Sequence, residues 1–143
     1  MSLDVNAMRS GIFDKLTGAS ALTTLLSAGT AGVFAYLAPE NEDPPYVVFS
    51  PQSPPLPQRR LGGGSVAWED ALWLVKAVAE GHSAAEAGTS SKQIDVALDL
   101  ATLTVSGYTT MSCAREQAVS YPEFEAGKRF NHEGALYRVR LLV

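Results

Sequence analysis

The segment Val33-Phe-Ala-Tyr-Leu-Ala-Pro-Glu-Asn-Glu-Asp-Pro-Pro-Tyr-Val-Val-Phe49 decides the fold of this chain. It contains two apolar runs separated by an acidic bend that ends in two prolines. Because proline has a fixed φ and no backbone N–H, Pro44 and Pro45 hold the chain extended and fix the start of a strand at Tyr46. The sequence therefore predicts one strand at about Val33 to Leu37 and a second at Tyr46 to Phe49, returning beside the first.

The composition is that of one globular domain, and we expect residues 1–143 to share one core. Apolar residues make up 46% of the chain and charged residues 18%, and no apolar run reaches the ~20 residues that span a bilayer. Charged residues such as Asp4 and Arg9 interrupt the N-terminal apolar positions, which argues against a signal peptide. The net charge of −4 argues against a nucleic-acid-binding protein, and a lone Cys113 suits a reducing compartment.

Hydrophobic periodicity predicts the remaining elements. An amphipathic helix is expected to end near Gly18, and a short helical turn to follow it. A strand is predicted at Val66 to Val78, with its odd-numbered residues on one face, and a helix from Ser83 or Ser90 to about Thr102. Two further strands are predicted at Tyr108 to Ala118 and Leu136 to Val143. The segment between them, Tyr121 to Gly134, is predicted to be a hairpin or an irregular connection.

The segment Ser50 to Ser65 carries four prolines and three glycines in sixteen residues. Such a composition opposes a packed element, so the sequence predicts a long projecting loop at about residues 50–65. The predicted fold class is α+β. It has two layers, with a mixed or mainly antiparallel sheet and the helices packed on one face.

The element order, the Pro-Pro-Tyr-Val-Val-Phe run and the final Phe130-Asn-His-Glu-Gly-Ala-Leu-Tyr-Arg-Val139 segment together resemble the tail-completion, or tail-terminator, proteins of long-tailed bacteriophages. The resemblance covers nearly the whole chain. It implies a structural virion protein that closes a ring, of six copies, on the last ring of the tail tube. Its implied partners are further copies of itself, the major tail-tube protein and a head-tail connector or neck protein, with transient passage of DNA through the lumen. The implied location is the head-proximal end of the virion tail, after assembly in the bacterial cytoplasm.

Candidate interface residues come from the arm and from the tryptophans. Arg59 and Arg60, next to Leu61, are suited to an acidic surface on a neighbour, because the planar guanidinium holds a carboxylate with two hydrogen bonds. Trp68 and Trp73 fall on opposite faces of one predicted strand, so one of them is expected to meet a helix or a neighbouring subunit unless a bulge places both inside.

The densest acidic cluster is Glu40, Glu42 and Asp43. In a ring, these carboxylates would face the lumen and repel DNA phosphates, whereas the plain alternative is a solvated turn.

No motif indicates catalysis, a cofactor or a metal. His82, His132 and Cys113 lack the spacing of a metal or nucleophile site, and Leu61-Gly-Gly-Gly-Ser65 lacks the ending of a phosphate-binding loop. We therefore expect no enzyme activity and no membrane association. Three alternatives remain open: a head-closure or neck protein, a small α+β ligand-binding module, and an enzyme using the acidic cluster.

Overall fold

The computed structural model describes residues 5–59 and 66–142. Its helices are α1 (Val5–Thr17), α2 (Ser20–Thr23) and α3 (Ala85–Leu98), with a 3-10 turn at Gly29–Gly32. Its strands are β1 (Val33–Ala35), β2 (Tyr46–Arg59), β3 (Val66–Glu80), β4 (Thr109–Glu125) and β5 (Lys128–Leu142).

The strands form one five-stranded sheet in the order β1-β2-β3-β5-β4. Only the short pair β1 and β2 is parallel, and the other three pairs are antiparallel. Helices α1 and α3 pack on the same face of this sheet, through contacts with Trp73 and Tyr137. The predicted α+β class, with a mixed sheet and helices on one face, is confirmed.

Trp73, in the middle strand β3, lies at the centre of the core and is 1% exposed. Its ring centroid is 5.9 Å from that of Phe49 in β2, and its indole N–H donates to the Met8 sulfur of α1 at 2.6 Å. Tyr137 in β5 is its direct cross-strand partner, and the Tyr137 hydroxyl is 3.1 Å from a carboxylate oxygen of Asp95 in α3. One tryptophan thus connects three strands and a helix.

Alternation along β3 follows the predicted pattern. The buried core residues include the odd-numbered positions of β3 together with apolar residues from the helices: Ala71, Trp73, Val75 and Ala77, with Met8, Ile12, Leu16, Ile94 and Leu98. Side chains of a strand alternate between faces, so a buried odd-numbered set leaves the even-numbered set on the other face. The predicted strand and its core face are confirmed.

The expected projecting loop is wrong for residues 50–59. These residues continue β2, which pairs with β3 from Tyr46 opposite Val78 to Arg59 opposite Val66. Pairing survives the prolines because the register shifts three times along this strand, and because β1 covers β2 only as far as Phe49. Beyond Phe49, β2 is an outer strand, where a missing N–H faces no ladder partner. Residues 60–65 of the predicted loop lie outside the described part of the chain.

The segment Tyr121 to Gly134 is a hairpin, which confirms one of its two predicted forms, and its turn is Ala126-Gly127, with φ of 52° and 77°. Its arms belong to β4 and β5, so the predicted ends of these strands need correction. Two consecutive positive φ values are typical of a two-residue turn that keeps both strands paired up to it. Strand β1 stops at Ala35, because Tyr36 adopts positive φ. Helix α3 stops at Leu98, because Asp99 is already extended, with a ψ of 124°. None of the helices in the described ranges is long and apolar enough to cross a membrane.

Gly134 of β5 provides a test of how tightly β3 and β5 pack. A Cβ at this position would overlap the carbonyl oxygen of Val75 and lie 2.5 Å from the Cα of Lys76, both backbone atoms of β3. We expect Gly134→Ala to lower the free energy of unfolding by more than about 2 kcal/mol, because the ladder must separate.

Gly88, inside α3, is the matched control, because a Cβ there meets nothing within 4 Å. Gly88→Ala should raise stability by about 0.5–1 kcal/mol through helix propensity. Denaturant unfolding of both variants measures the difference, and equal effects would contradict the described packing of β3 on β5.

Candidate interaction surfaces

The sheet face opposite α1 and α3 carries no described helix, and we call it the open face. Since even-numbered residues of β3 and β5 point to it, the cross-strand pairs Trp68 with Leu142 and Leu74 with Leu136 lie here. Leu142 is 44% exposed, whereas Trp68, Leu74 and Leu136 are partly buried by their neighbours. The open face is therefore a half-buried apolar surface that no helix in residues 5–59 and 66–142 covers.

An ion-pair network divides this apolar surface. The Arg138 guanidinium lies 2.8 Å from the Asp70 carboxylate and 3.0 Å from that of Glu116, and Arg140 reaches Asp70 at 3.4 Å. Hydrogen bonds to Asp70 and Glu116 raise the pKa of Arg138 above its ordinary value. Because two arginines meet two carboxylates, the network is internally neutral, so it offers little attraction to a phosphate backbone.

A second polar cluster lies on the open face towards the β4–β5 turn. The rings of Tyr121 and His132 stack with centroids 4.5 Å apart, Lys76 Nζ is 2.5 Å from the Tyr121 hydroxyl, and His132 Nε2 is 2.8 Å from Glu123 Oε2. His132 is 7% exposed, and its Nδ1 has no hydrogen-bond partner among the described residues. Burial, with Lys76 nearby, lowers the pKa of His132, although Glu123 opposes this shift. The cluster therefore favours a neutral imidazole.

The structure separates the two tryptophans as the sequence predicts. Trp68 lies on the open face, opposite Gln58 of β2 and Leu142 of β5, and remains a candidate for contact with a neighbour. Trp73 meets helix α1 instead and is buried. The expectation that Trp73 contributes to an interface is therefore corrected, because its side chain has no exposed surface to offer.

The arginine and acidic candidates lie at two different places. Arg59 is the exposed last residue of β2, while Arg60 and Leu61 fall outside the described residues. Glu40, Glu42 and Asp43 lie in the β1–β2 connection, where the Glu42 N–H donates to the Pro39 carbonyl at 3.2 Å. No ion pair within the described ranges involves these three acids.

The histidines and the cysteine are not brought together. Cys113 faces the core opposite Val139, whereas His132 is on the other face of the same sheet and His82 is exposed in the β3–α3 connection. Burial, followed by the charge of Asp99, raises the pKa of Cys113 to about 12, so the sulfur stays a thiol. Across residues 5–59 and 66–142, no group of three or more His, Cys, Asp or Glu side chains could hold a metal ion.

Comparison with known proteins assigns a family to this fold. The family model for tail completion protein gp17 matches residues 10–142. The chain belongs to the tail completion protein gp17 family. The resemblance seen in the sequence is thereby confirmed, and this gp17-family chain is a structural protein of a phage tail.

Solved structures show that the fold recurs at low sequence identity. A chain from the virion of a native gene transfer agent particle superposes with a TM-score of 0.74 at 15% identity, covering 96% of each chain. A second solved chain gives a TM-score of 0.61 at 12% identity, again with 96% of both chains covered. No curated protein matches the sequence.

The two polar clusters of the gp17-family chain were missed by the sequence analysis. Arg138 and Asp70 are far apart in sequence and meet only through the β3–β5 register, and Tyr121 was placed in a connection instead of a strand. The alternation of charged and apolar residues in the last two strands, β4 and β5, was the signal available in the sequence. It could not show which charged side chains meet, because that depends on the register between strands.

The buried histidine predicts a pH dependence of stability. Because the folded-state pKa of His132 is below its unfolded value of about 6.5, the unfolded chain binds more protons there as the pH falls. His132 therefore contributes stability above about pH 6.5 that is lost as the pH falls through this value towards the lower folded-state pKa, by at most about 1.4 kcal/mol per pH unit.

Unfolding free energies measured between about pH 7.5 and pH 5.5 should accordingly fall more steeply for the wild type than for His132→Gln. The control is His82→Gln in the exposed β3–α3 connection, which should follow the wild-type curve. Parallel curves for the wild type and His132→Gln would contradict the described burial of the imidazole.

Proposed function

We propose that the chain is a tail terminator, which caps the tail tube as a closed ring, ends tube elongation and presents a surface for joining the head. The observation that carries the proposal is the tail-completion family match over residues 10–142. The fold shared with a chain of a gene transfer agent virion supports a role within an assembled particle.

The structure supports an assembly role through its open face. Trp68 and Leu142 lie together on a sheet face that none of the described helices covers. A half-buried aromatic side chain surrounded by aliphatic residues is a typical anchor of a protein interface. We place the contact with the tail tube or a neighbouring copy on this face.

Ring closure follows from the type of contact that the proposal requires. Identical copies that meet through two different surfaces form a ring when their rotation closes, and six copies match the tube symmetry that the family resemblance implies. In this proposal Arg59, Arg60 and Leu61 contact an acidic surface of the tube or of a neighbour. This group is shorter than the arm expected from the sequence, because residues 50–59 belong to β2.

The acidic cluster in the β1–β2 connection is proposed to face the lumen. Glu40 and Asp43 are exposed, and no described ion pair neutralises them. Unpaired carboxylates along a channel repel DNA phosphates and let the genome pass without adhering. The proposal includes no catalytic step, cofactor or metal.

A head-closure or neck protein is the second candidate. It would use the same ring and engage the connector instead of the tube, and the family name, tail completion, favours the tail side. No observation favours a ligand-binding module or an enzyme that uses Glu40, Glu42 and Asp43.

Particles assembled without this chain distinguish the two candidates. Loss of the terminator should give tails of abnormal length that do not join heads, because nothing stops tube addition. Electron microscopy of the mutant lysate measures tail length and head attachment. Tails of normal length beside heads that leak DNA would instead identify a head-closure protein.

Replacing Glu40, Glu42 and Asp43 by their amides tests the lumen proposal, because the change removes charge and nearly preserves shape. Tails should reach normal length and join heads, while DNA delivery slows most at low ionic strength, where screening is weakest. Delivery kinetics of matched particles provide the measurement. Unchanged delivery at low salt would reduce the three acids to a solvated turn.

A further inference from the structure

One guanidinium of the open face is only partly used within the chain. Arg140 of β5 reaches the Asp70 carboxylate through its Nε atom, at 3.4 Å. Its two terminal nitrogens have no hydrogen-bond partner among the described residues. The Arg140 side chain is 49% exposed, so a neighbouring molecule can reach these two nitrogens.

The neighbouring Arg138 occupies the carboxylates that Arg140 would otherwise use. Its Nε and Nη2 atoms meet the Glu116 carboxylate at 3.1 and 3.0 Å, and its Nη1 atom is 2.8 Å from Asp70 Oδ1. A guanidinium presents its N–H groups in a rigid plane that matches both oxygens of a carboxylate. The ion-pair network therefore fills the fork of Arg138 and leaves that of Arg140 open to one further carboxylate.

Apolar side chains border this open fork. Leu142 is two residues farther along β5 on the same face, and Trp68 of β3 is its cross-strand partner. On β2, Leu56 lies opposite Asp70 and is 53% exposed. Apolar surface that excludes water strengthens a charge-assisted hydrogen bond, and tryptophan and arginine are enriched among the anchors of protein interfaces.

We propose that Arg140, bordered by Trp68, Leu142 and Leu56, receives a carboxylate that the tail tube presents among apolar side chains. The inference rests on the contact with the tube proposed above for the open face, and it requires no particular number of copies. It adds the chemistry of the partner surface, an acidic residue within an apolar patch. It also adds Arg140 as the residue that recognises this surface.

Nucleic acid is a poorer match to this site. Affinity for DNA grows with the number of cations that replace counterions on the phosphates. The described ion-pair network offers one open guanidinium beside charges that are otherwise balanced. The apolar border adds nothing to a phosphate contact, whereas it resembles the core of a protein interface.

Substitution of Arg140 tests the contact from the side of this chain. Arg140→Gln removes the charge and should weaken binding to isolated tail tubes about tenfold or more. Arg140→Lys keeps the charge but lacks the planar fork, so it should recover little of that loss. The matched control is Lys92→Gln, which removes one exposed positive charge from α3 on the other side of the sheet and should bind as the wild type.

Cosedimentation of the labelled chain with tubes from particles assembled without it measures the affinity. Melting temperatures should stay close to that of the wild type, because an exposed ion pair contributes little to folding. A folded Arg140→Gln that binds as tightly as the wild type, or full recovery by Arg140→Lys, would overturn the proposed fork contact.

Amidation of the tube tests the contact from the partner's side. Tubes treated with a water-soluble carbodiimide and glycinamide lose surface carboxylates, and electron microscopy verifies that they stay intact. The wild type should bind them about as weakly as Arg140→Gln binds untreated tubes. Arg140→Gln should lose little further affinity, because its contact is already broken. An equal additional loss for the variant would overturn the carboxylate assignment.

Two measurements without tubes test the other occupants, a second copy and DNA. Self-association followed by sedimentation, and binding to duplex DNA, should be the same for the wild type and Arg140→Gln. A loss of either in the variant would assign the site to a second copy or to nucleic acid and overturn the tube assignment.

The outcomes also separate this inference from the proposed function. A wild-type chain that does not bind tail tubes would contradict the proposed function. Wild-type binding that Arg140→Gln retains in full would contradict only the assignment of Arg140.

Discussion

The packing of Trp73 between helix α1 and the middle of the sheet is the interaction on which the rest of the structure depends. Its indole joins Met8 of α1 to β3, and its ring meets Phe49 of β2 while Tyr137 of β5 lies opposite. A side chain of this size buried in the centre fixes which face of β3 receives the helices. Once that face is fixed, every even-numbered residue of β3 and β5 must point to the other side.

The open face follows from this arrangement. With α1 and α3 on one side, Trp68 and Leu142 lie on the other, where the described part of the chain places no helix. The Arg138 network keeps the surrounding charges balanced. Such a surface is suited to binding protein and poorly suited to binding nucleic acid. It agrees with a structural protein of a phage tail.

Two apolar residues near the outer edges of the sheet have a strained backbone. Leu100 and Tyr36 both adopt positive φ. The Leu100 side chain is 82% exposed, whereas the Tyr36 hydroxyl accepts a hydrogen bond from Arg9 of α1. Strain of this kind persists where the surrounding structure holds it in place, as the Cys113 and Phe49 carbonyls do here.

The sequence was sufficient for the parts of the fold that depend on local pattern. Alternation predicted β3 and its core face, and the split between Trp68 and Trp73 followed from the same period of two. The prolines of β2 misled the prediction, because their effect depends on whether the strand lies at an edge, which is a property of the whole sheet. The polar clusters depend on cross-strand register between segments far apart in sequence. The left-handed conformation of Leu100 left no sequence signal, since leucine is not a residue that marks it.

The most direct measurement is a cryo-electron microscopy reconstruction of the intact particle at the junction of head and tail. The account predicts six copies of this fold in a closed ring on the last ring of the tail tube. A particle in which this chain is absent from the end of the tube, or present there without contact between copies, would contradict the account.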